Sequence, residues 1–267
     1  MKKRIITAII GLPILFAFLI LGNWYLFGAV LFLSNVGMYE YCKALNHKLE
    51  NKMSFLLMFV LTSAMVFVIK WDLFIALPIM CLALIAIFCF EIFSKNADAM
   101  RAISCVFALL YIPVIFSFLL LFEAIQEGQY FLWMIFIIAF ITDTFAYFTG
   151  RALQGPKLAP LISPKKTRSG AIGGLVFAAI AMLIYGLVLH FSFQFTLPYY
   201  LYILVGVVAS IAGQCGDLAA SMIKRKMEIK DFGKLLPGHG GILDRFDSIL
   251  FIIPVVFVFA IFVSGMK

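Results

Sequence analysis

Charge is scarce in this sequence. Asp, Glu, Lys and Arg together make up 13% of its 267 residues, while 64% are hydrophobic. An ordinary soluble domain carries about 25% charged and about 45–50% apolar residues. That much apolar surface cannot hide in one water-soluble core, so the chain reads as an integral membrane protein. Cysteine is also sparse: positions 42, 81, 89, 105 and 215 show no C-x-x-C spacing and mostly fall inside apolar runs. A disulfide framework and a zinc site are therefore not indicated. The apolar runs lack the alternation of a membrane barrel, and no internal period suggests repeats. The N-terminal run KKRIITAIIGLPILFAFLILG has no small-x-small cleavage site after it, which favours an uncleaved first span over a signal peptide.

What is present is a series of long, Leu/Phe/Ile-rich stretches. A hydrocarbon core of about 30 Å needs about 20 helical residues. Nine stretches qualify: roughly 5–22, 25–42, 53–70, 73–93, 102–122, 129–149, 171–191, 197–218 and 248–265. The expected fold is an all-α polytopic membrane protein of about nine transmembrane helices. With nine spans, every Lys and Arg except Lys70 and Lys267 falls on the side of the N-terminus. The basic excess marks cytoplasmic loops. The N-terminus and the two long loops, 150–170 and 219–247, are then cytoplasmic, and the C-terminus lies outside. The formal net charge of +8 is explained by that topology, or by attraction to anionic lipid or a polyphosphate. Nucleic acid is not expected as a partner, because the basic residues sit in short loops at the bilayer.

The two halves differ. Residues 1–128 read as a scaffold of about five spans, with Glu40, Asp72, Glu91 and Asp98 near span ends. Residues 129–267 read as a catalytic region of about four spans, and there polar residues invade the membrane. ITDTFAYFTGR (141–151) puts Asp143 at the end of the sixth span and closes on Arg151. A carboxylate there is a functional candidate by default, with interfacial capping the alternative. GPKLAPLISPKKTRSG (155–170) has three prolines that argue against a continuous helix. It offers Ser163, Lys165, Lys166 and Thr167 for phosphate. In AGQCGDLAASMIKRK, Asp217, Ser221, Lys224 and Arg225 fall at i, i+4, i+7 and i+8, one face of a helix. In KDFGKLLPGHGGILDRFDS, Asp244 and Asp247 are one turn apart, among glycines that let backbone approach a ligand. His239 is a candidate proton donor, phosphate contact or structural hydrogen-bond partner.

Carboxylates at the ends of three spans, Asp143, Asp217 and Asp244 with Asp247, would repel one another if they converged. Mg²⁺ would relieve this, since it binds through one or two carboxylates plus substrate phosphates. The lysines and arginines would hold the remaining phosphate charge. The combination implies phosphoryl or nucleotidyl chemistry on a lipid. A transporter is the alternative from a different class. Its acids should lie near the midplane in paired broken helices, and these lie at span ends.

The same residues carry a resemblance. SMIKRKMEIKDFGKLLPGHGGILDRFD, 221–247, resembles the signature of phosphatidate cytidylyltransferases, S-x-x-K-R-x₄-K-D-x-G-x₂-L-P-x-H-G-G-x-x-D-R-x-D, and meets every fixed position. DTFAYFTGR and LISPKKT resemble that family's upstream blocks. The likeness is strong over about 140–250, while the N-terminal spans match only in character. One position departs: an acidic residue often precedes the glycine after SPKKT, and here it is Ser169. The resemblance implies a Mg²⁺-dependent transfer of a cytidylyl group from CTP to phosphatidate, giving CDP-diacylglycerol and pyrophosphate in phospholipid biosynthesis. It implies metal carboxylates at Asp217 and Asp244, with Asp247 and Asp143 close by, and leaves room for a K⁺ ion. Lys165, Lys166, Lys224, Arg225 and Lys230 are candidates for gripping phosphates, with Arg151 and His239 as further substrate contacts. Ser221 and Arg245 would orient ligands or carboxylates. It further implies a homodimer in the cell (inner) membrane, with a funnel open to the cytoplasm and sideways to lipid. A CDP-alcohol phosphatidyltransferase, which consumes the same lipid, would need D-G-x-x-A-R and two further spaced aspartates. GDLAAS at 216–221 lacks that order.

Overall fold

The computed structural model describes residues 2–48, 54–235 and 240–265. Each of the nine apolar stretches is matched by a helical run among them. Among the described residues, six helices are long and apolar enough to cross a bilayer by length and composition: Leu73–Ile92, Ala99–Ala124, Gly128–Leu153, Arg168–Phe193, Tyr199–Lys226 and Leu243–Gly265. Much of their apolar surface faces outward. Phe74 and Leu77 are 93% and 72% exposed, which suits lipid as the surrounding solvent.

The chain divides into two compact units, Met1–Ala124 with Lys226–Phe246, and Ile125–Arg225 with Asp247–Lys267. In the first unit α1 (Lys2–Leu21), α2 (Asn23–Lys48), α3 (Phe55–Trp71) and α4 (Leu73–Ile92) follow in order. A fifth run is built from α5 (Ala99–Leu109), a π turn (Leu110–Val114), α6 (Ile115–Leu121) and a short 3₁₀ turn (Phe122–Ala124). The π turn surrounds Pro113, which has no N–H to offer the i−4 carbonyl, so the ladder widens there. The charges near span ends have local work. Asp72 caps α4 by accepting from Phe74 N–H at 2.8 Å, and Asp98 caps α5 by accepting from Met100 N–H at 2.8 Å. Glu91 and Arg101 form a buried ion pair that ties α4 to α5. Met65, Ile69 and Ala76, with Val114 and Leu121 against them, form part of the core between α3, α4 and the fifth run.

The second unit is built on α7 (Gly128–Leu153), α8 (Arg168–Phe193), α9 (Tyr199–Lys226, through Arg225) and α10 (Leu243–Gly265, from Asp247). Phe145 of α7 stacks on Phe177 of α8 at 3.9 Å between ring centroids. Thr142 of α7 donates to Ser210 of α9 at 2.8 Å in a buried pair. Gln214 of α9 donates to the Ala171 carbonyl of α8 at 3.2 Å. The proline-rich loop is not helical, as its composition requires. It forms an antiparallel hairpin, β1 (Lys157–Ala159) with β2 (Ser163–Thr167). Pro164 is tolerated because a two-stranded ribbon leaves an edge free on each side. Thr167 then caps α8 by accepting from Gly170 N–H at 3.1 Å. This hairpin is a small departure from the all-α expectation.

Two helices run past the hydropathic limits of their spans, and this matters for the site. α9 continues to Lys226 and carries Asp217, Ser221, Lys224 and Arg225 as helical residues. α10 starts at Leu243, so Asp244 and Asp247 lie in its opening turns.

Candidate active site

In the second unit, α7, the hairpin, the start of α8 and the end of α9 enclose a cleft of about 570 Å³. Asp143, Arg151, Lys165, Lys166, Gln214 and Asp217 line it, so residues from three separate motifs line one cleft. Lys157 adds a further cation. Lys166 ion-pairs with Asp217, and both side chains keep more than a quarter of their exposure. Arg151 donates to the Tyr147 hydroxyl one turn earlier, at 3.2 Å. A mouth with several cations and two carboxylates suits a polyphosphate better than a neutral ligand.

The same unit also holds a more buried charge centre. Asp247 is 8% exposed, with Lys224 Nζ 3.9 Å from its Oδ2. Its Oδ1 accepts the Ser248 N–H at 2.9 Å. The Ser248 hydroxyl donates to Asp143 Oδ2 at 3.3 Å, which links α10 to α7. The charges of Asp217 and Asp143 both act on Asp247. Close packing of α9 on α10 allows this. A Cβ on Gly216 would lie 2.5 Å from the Asp247 carbonyl oxygen, so only glycine fits beside Asp217. Carboxylates of α7, α9 and α10 are thus gathered with Lys166 and Lys224.

In the first unit the segment after α9 folds onto the start of α10. Asp244 Oδ2 accepts the N–H of Phe232 at 2.8 Å and of Gly241 at 2.9 Å. Asp244 is 7% exposed. Glu40 of α2 accepts from Ile242 N–H and Leu243 N–H, each at 3.0 Å. Phe232 stacks on Tyr41 of α2, with 6.4 Å between centroids and planes 25° apart.

Burial splits the remaining sequence candidates. Arg225, Lys230 and Arg245 are exposed, and Ser221 is half-buried. The shared face of α9 is therefore graded: Lys224 is buried and Arg225 is not. His239 lies outside the described residues. Sequence reasoning named Glu40 only as a charge near a span end, and it did not single out Gln214 or Ser248. A carboxylate three residues before a basic loop-facing position carries no local signal of a distant partner. Ser169, where an acid is often found, donates to the Gln154 carbonyl and accepts from the Thr167 hydroxyl. It closes the base of the hairpin, a bond a carboxylate could not donate.

Whether these residues suit a divalent ion follows from the donors. Among the described residues no three His, Cys, Asp or Glu side chains gather closely enough to hold a metal by themselves. Mg²⁺ does not require that. It keeps several waters and uses one or two carboxylates plus substrate phosphate. Asp143 and Asp217, which line one cleft together with Lys157, Lys165 and Lys166, fit such an ion.

Comparison with known proteins gives the same direction. The model of the Cytidylyltransferase family matches residues 2–263. A phosphatidate cytidylyltransferase of Staphylococcus epidermidis is 34% identical over 263 residues, 95% of this chain and 96% of that protein. One from Bacillus subtilis is 34% identical over 264 residues, 95% of each chain. One from Staphylococcus saprophyticus is 40% identical over 166 residues, and that match spans 62% of each chain. With the family model running through both units, this chain belongs to the cytidylyltransferase family.

Proposed function

We propose that this protein transfers the cytidylyl group of CTP to phosphatidate, forming CDP-diacylglycerol and pyrophosphate in phospholipid biosynthesis. The observation that carries this is the cleft lined by Asp143 and Asp217 together with Arg151, Lys157, Lys165 and Lys166. The family membership and the names of the relatives support the choice of substrates.

In this reading the phosphatidate phosphate oxygen attacks the α-phosphorus of CTP and pyrophosphate leaves. Phosphatidate is already anionic near neutral pH, so no strong general base is required. The barrier is the approach of anions, and the chain's residues lower it by holding them. Lys165, Lys166, Arg151 and Lys157 take triphosphate charge in the cleft. Lys166 exchanges its pairing with Asp217 for a phosphate oxygen, an inexpensive swap because the pair is solvated. Lys224 stays with Asp247 and keeps that buried carboxylate compensated. Arg225 and Lys230, both exposed, reach for lipid or nucleotide phosphate. Ser221 and Arg245 orient ligands, and His239 contacts phosphate. Asp217 and Asp244 are the proposed metal carboxylates by their motif positions, with Asp143 and Asp247 in support. When bound, Mg²⁺ supplies positive charge to the α-phosphate and the leaving pyrophosphate, and a K⁺ ion beside it belongs to the same proposal.

The proposal extends to topology. Nine helical runs cross the cell membrane, the N-terminus and the site face the cytoplasm, and the C-terminus faces out. The shortest run, Phe55–Trp71, has 17 residues and reaches about 26 Å at 1.5 Å per residue, enough for a thin or adapted bilayer. The site is a funnel open to the cytoplasm and sideways to the bilayer, because the lipid's tails cannot cross water. Residues 1–128 serve as scaffold and 129–267 as the catalytic region, and the working form is a homodimer.

The test is a product assay on purified protein in detergent–phosphatidate micelles with α-labelled CTP, with and without Mg²⁺. The expected result is labelled lipid together with released pyrophosphate, only when the metal is present. Folded protein giving neither, across several metals and acyl chains, would overturn the reading and make ion flux the next measurement.

A further inference from the structure

Glu40 sits in α2, far from every motif of the site in sequence, yet it is 3% exposed. Both its oxygens are committed. Oε1 accepts from Ile242 N–H and Oε2 from Leu243 N–H, each at 3.0 Å. These amides stand at the opening of α10, where a helix has N–H groups without intrahelical acceptors. A carboxylate there satisfies them and complements the helix dipole, as an N-cap side chain would. Here it comes from another helix. The next residue is Asp244, whose Oδ2 fastens the amides of Phe232 and Gly241. Gly37, Glu40 and Tyr41 lie at i, i+3 and i+4 on α2, one face. Leu243 packs over Gly37, and Phe232 stacks on Tyr41.

Two glycines of the segment have their reason in this carboxylate. A methyl group on Gly233 or on Gly241 would run into Glu40. Neither is among the glycines at positive φ, which include the neighbouring Gly240 at 87°. Alanine at 233 or 241 thus needs no left-handed backbone, and the atoms nearest to its methyl group would be those of Glu40.

We propose that Glu40 is a positioning residue for the reaction: by holding the opening amides of α10 it fixes the Asp244 carboxylate in its working orientation, without touching substrate. The inference rests on the reading of Asp244 given above.

The experiment uses full-length purified enzyme. Glu40→Gln keeps the shape but replaces one acceptor oxygen with a donor amide. It should lower kcat by about tenfold or more, the worth of one lost charge-assisted hydrogen bond. The KM for CTP should stay within about twofold, because no cleft residue changes. The Mg²⁺ concentration for half-maximal rate should rise. Mn²⁺ binding measured by electron paramagnetic resonance should weaken, and the amides of Ile242 and Leu243 should exchange hydrogen faster. A tie that only stabilises the fold would lower yield and melting temperature and leave kcat and the metal midpoint of the surviving protein at wild-type values; that result overturns the proposal. Should Glu40→Gln fail to fold, Gly241→Ala keeps Glu40 and displaces its carboxylate. It should show the same kcat loss and metal shift, and wild-type behaviour there also overturns the proposal. Asp244→Asn separates the two levels. Full activity in that variant sinks the underlying reading of Asp244, and an inactive Asp244→Asn beside normal Glu40→Gln and Gly241→Ala sinks only the role of Glu40.

Discussion

Two lysines meet two carboxylates at this site in different surroundings, and the difference sorts their roles. In the Lys166–Asp217 pair the side chains are 28% and 29% exposed, and in the Lys224–Asp247 pair both are 11% exposed. An exposed pair contributes about 0–1 kcal/mol, so breaking it to grip a phosphate costs little. Removing one partner of a buried pair leaves an uncompensated charge and costs about 3 kcal/mol or more. Lys166→Met should therefore leave the thermal midpoint nearly unchanged while raising the KM for CTP about tenfold, the loss of one charged phosphate contact. Lys224→Met should lower the midpoint, read by tryptophan fluorescence in detergent, and adding Asp247→Asn should restore much of it because the stranded charge is gone. Equal thermal midpoints for Lys166→Met and Lys224→Met would show that burial does not separate the two pairs. Asp217→Asn, in turn, should abolish turnover without unfolding the protein. Near-wild-type activity in that variant, folded and purified, would remove Asp217 from the proposed metal carboxylates.

Elements rather than single residues account for what could be read in advance. Helical runs were legible because burying backbone polar groups in hydrocarbon forces long apolar stretches into helices, and such stretches show directly in composition. The alignment of Asp217, Ser221 and Lys224 was legible because helical period alone places them on one face. The hairpin was legible only negatively. Pro156, Pro160 and Pro164 exclude a helix, but pairing of Lys157 with Thr167 depends on a register that proline positions do not encode. The bond from Ile242 to Glu40 spans 202 residues, and no local pattern records a contact that distant. Ser169 belongs with the hairpin, since its hydroxyl bonds the Gln154 carbonyl across the base. Ser169→Ala should cost about 1 kcal/mol locally, loosening the strands that carry Lys165 and Lys166. The measurable consequence is a higher KM for CTP with kcat nearly unchanged. A fall in kcat at constant KM would mean that the hairpin serves the chemical step instead of nucleotide capture.

At the scale of the whole molecule, parity tests how many times the chain crosses the membrane. An even number of crossings would return both ends to one side. Nine crossings put them on opposite sides and leave all the lysines and arginines except Lys70 and Lys267 facing the cytoplasm. Lys70 ion-pairs with Glu123, which compensates one of the two charges that break the pattern. The connecting segments supply exposed positions for a direct test: Asn96 and Lys230 on the proposed inside, Gln126, Gln194 and Gly265 on the proposed outside. Single cysteines at these positions, in a background lacking the native five, can be probed with a membrane-impermeant maleimide. Intact cells should label Gln126→Cys, Gln194→Cys and Gly265→Cys, while Asn96→Cys and Lys230→Cys should label only after permeabilisation. The pair Lys230 and Gly265 is the decisive one, because among the described residues α10 is the only helix between them. Labelling of both from one side would mean that α10 does not cross. The aspartates at its opening would then not sit at a membrane boundary, and the proposed entry of a lipid phosphate beside them would lose its physical basis.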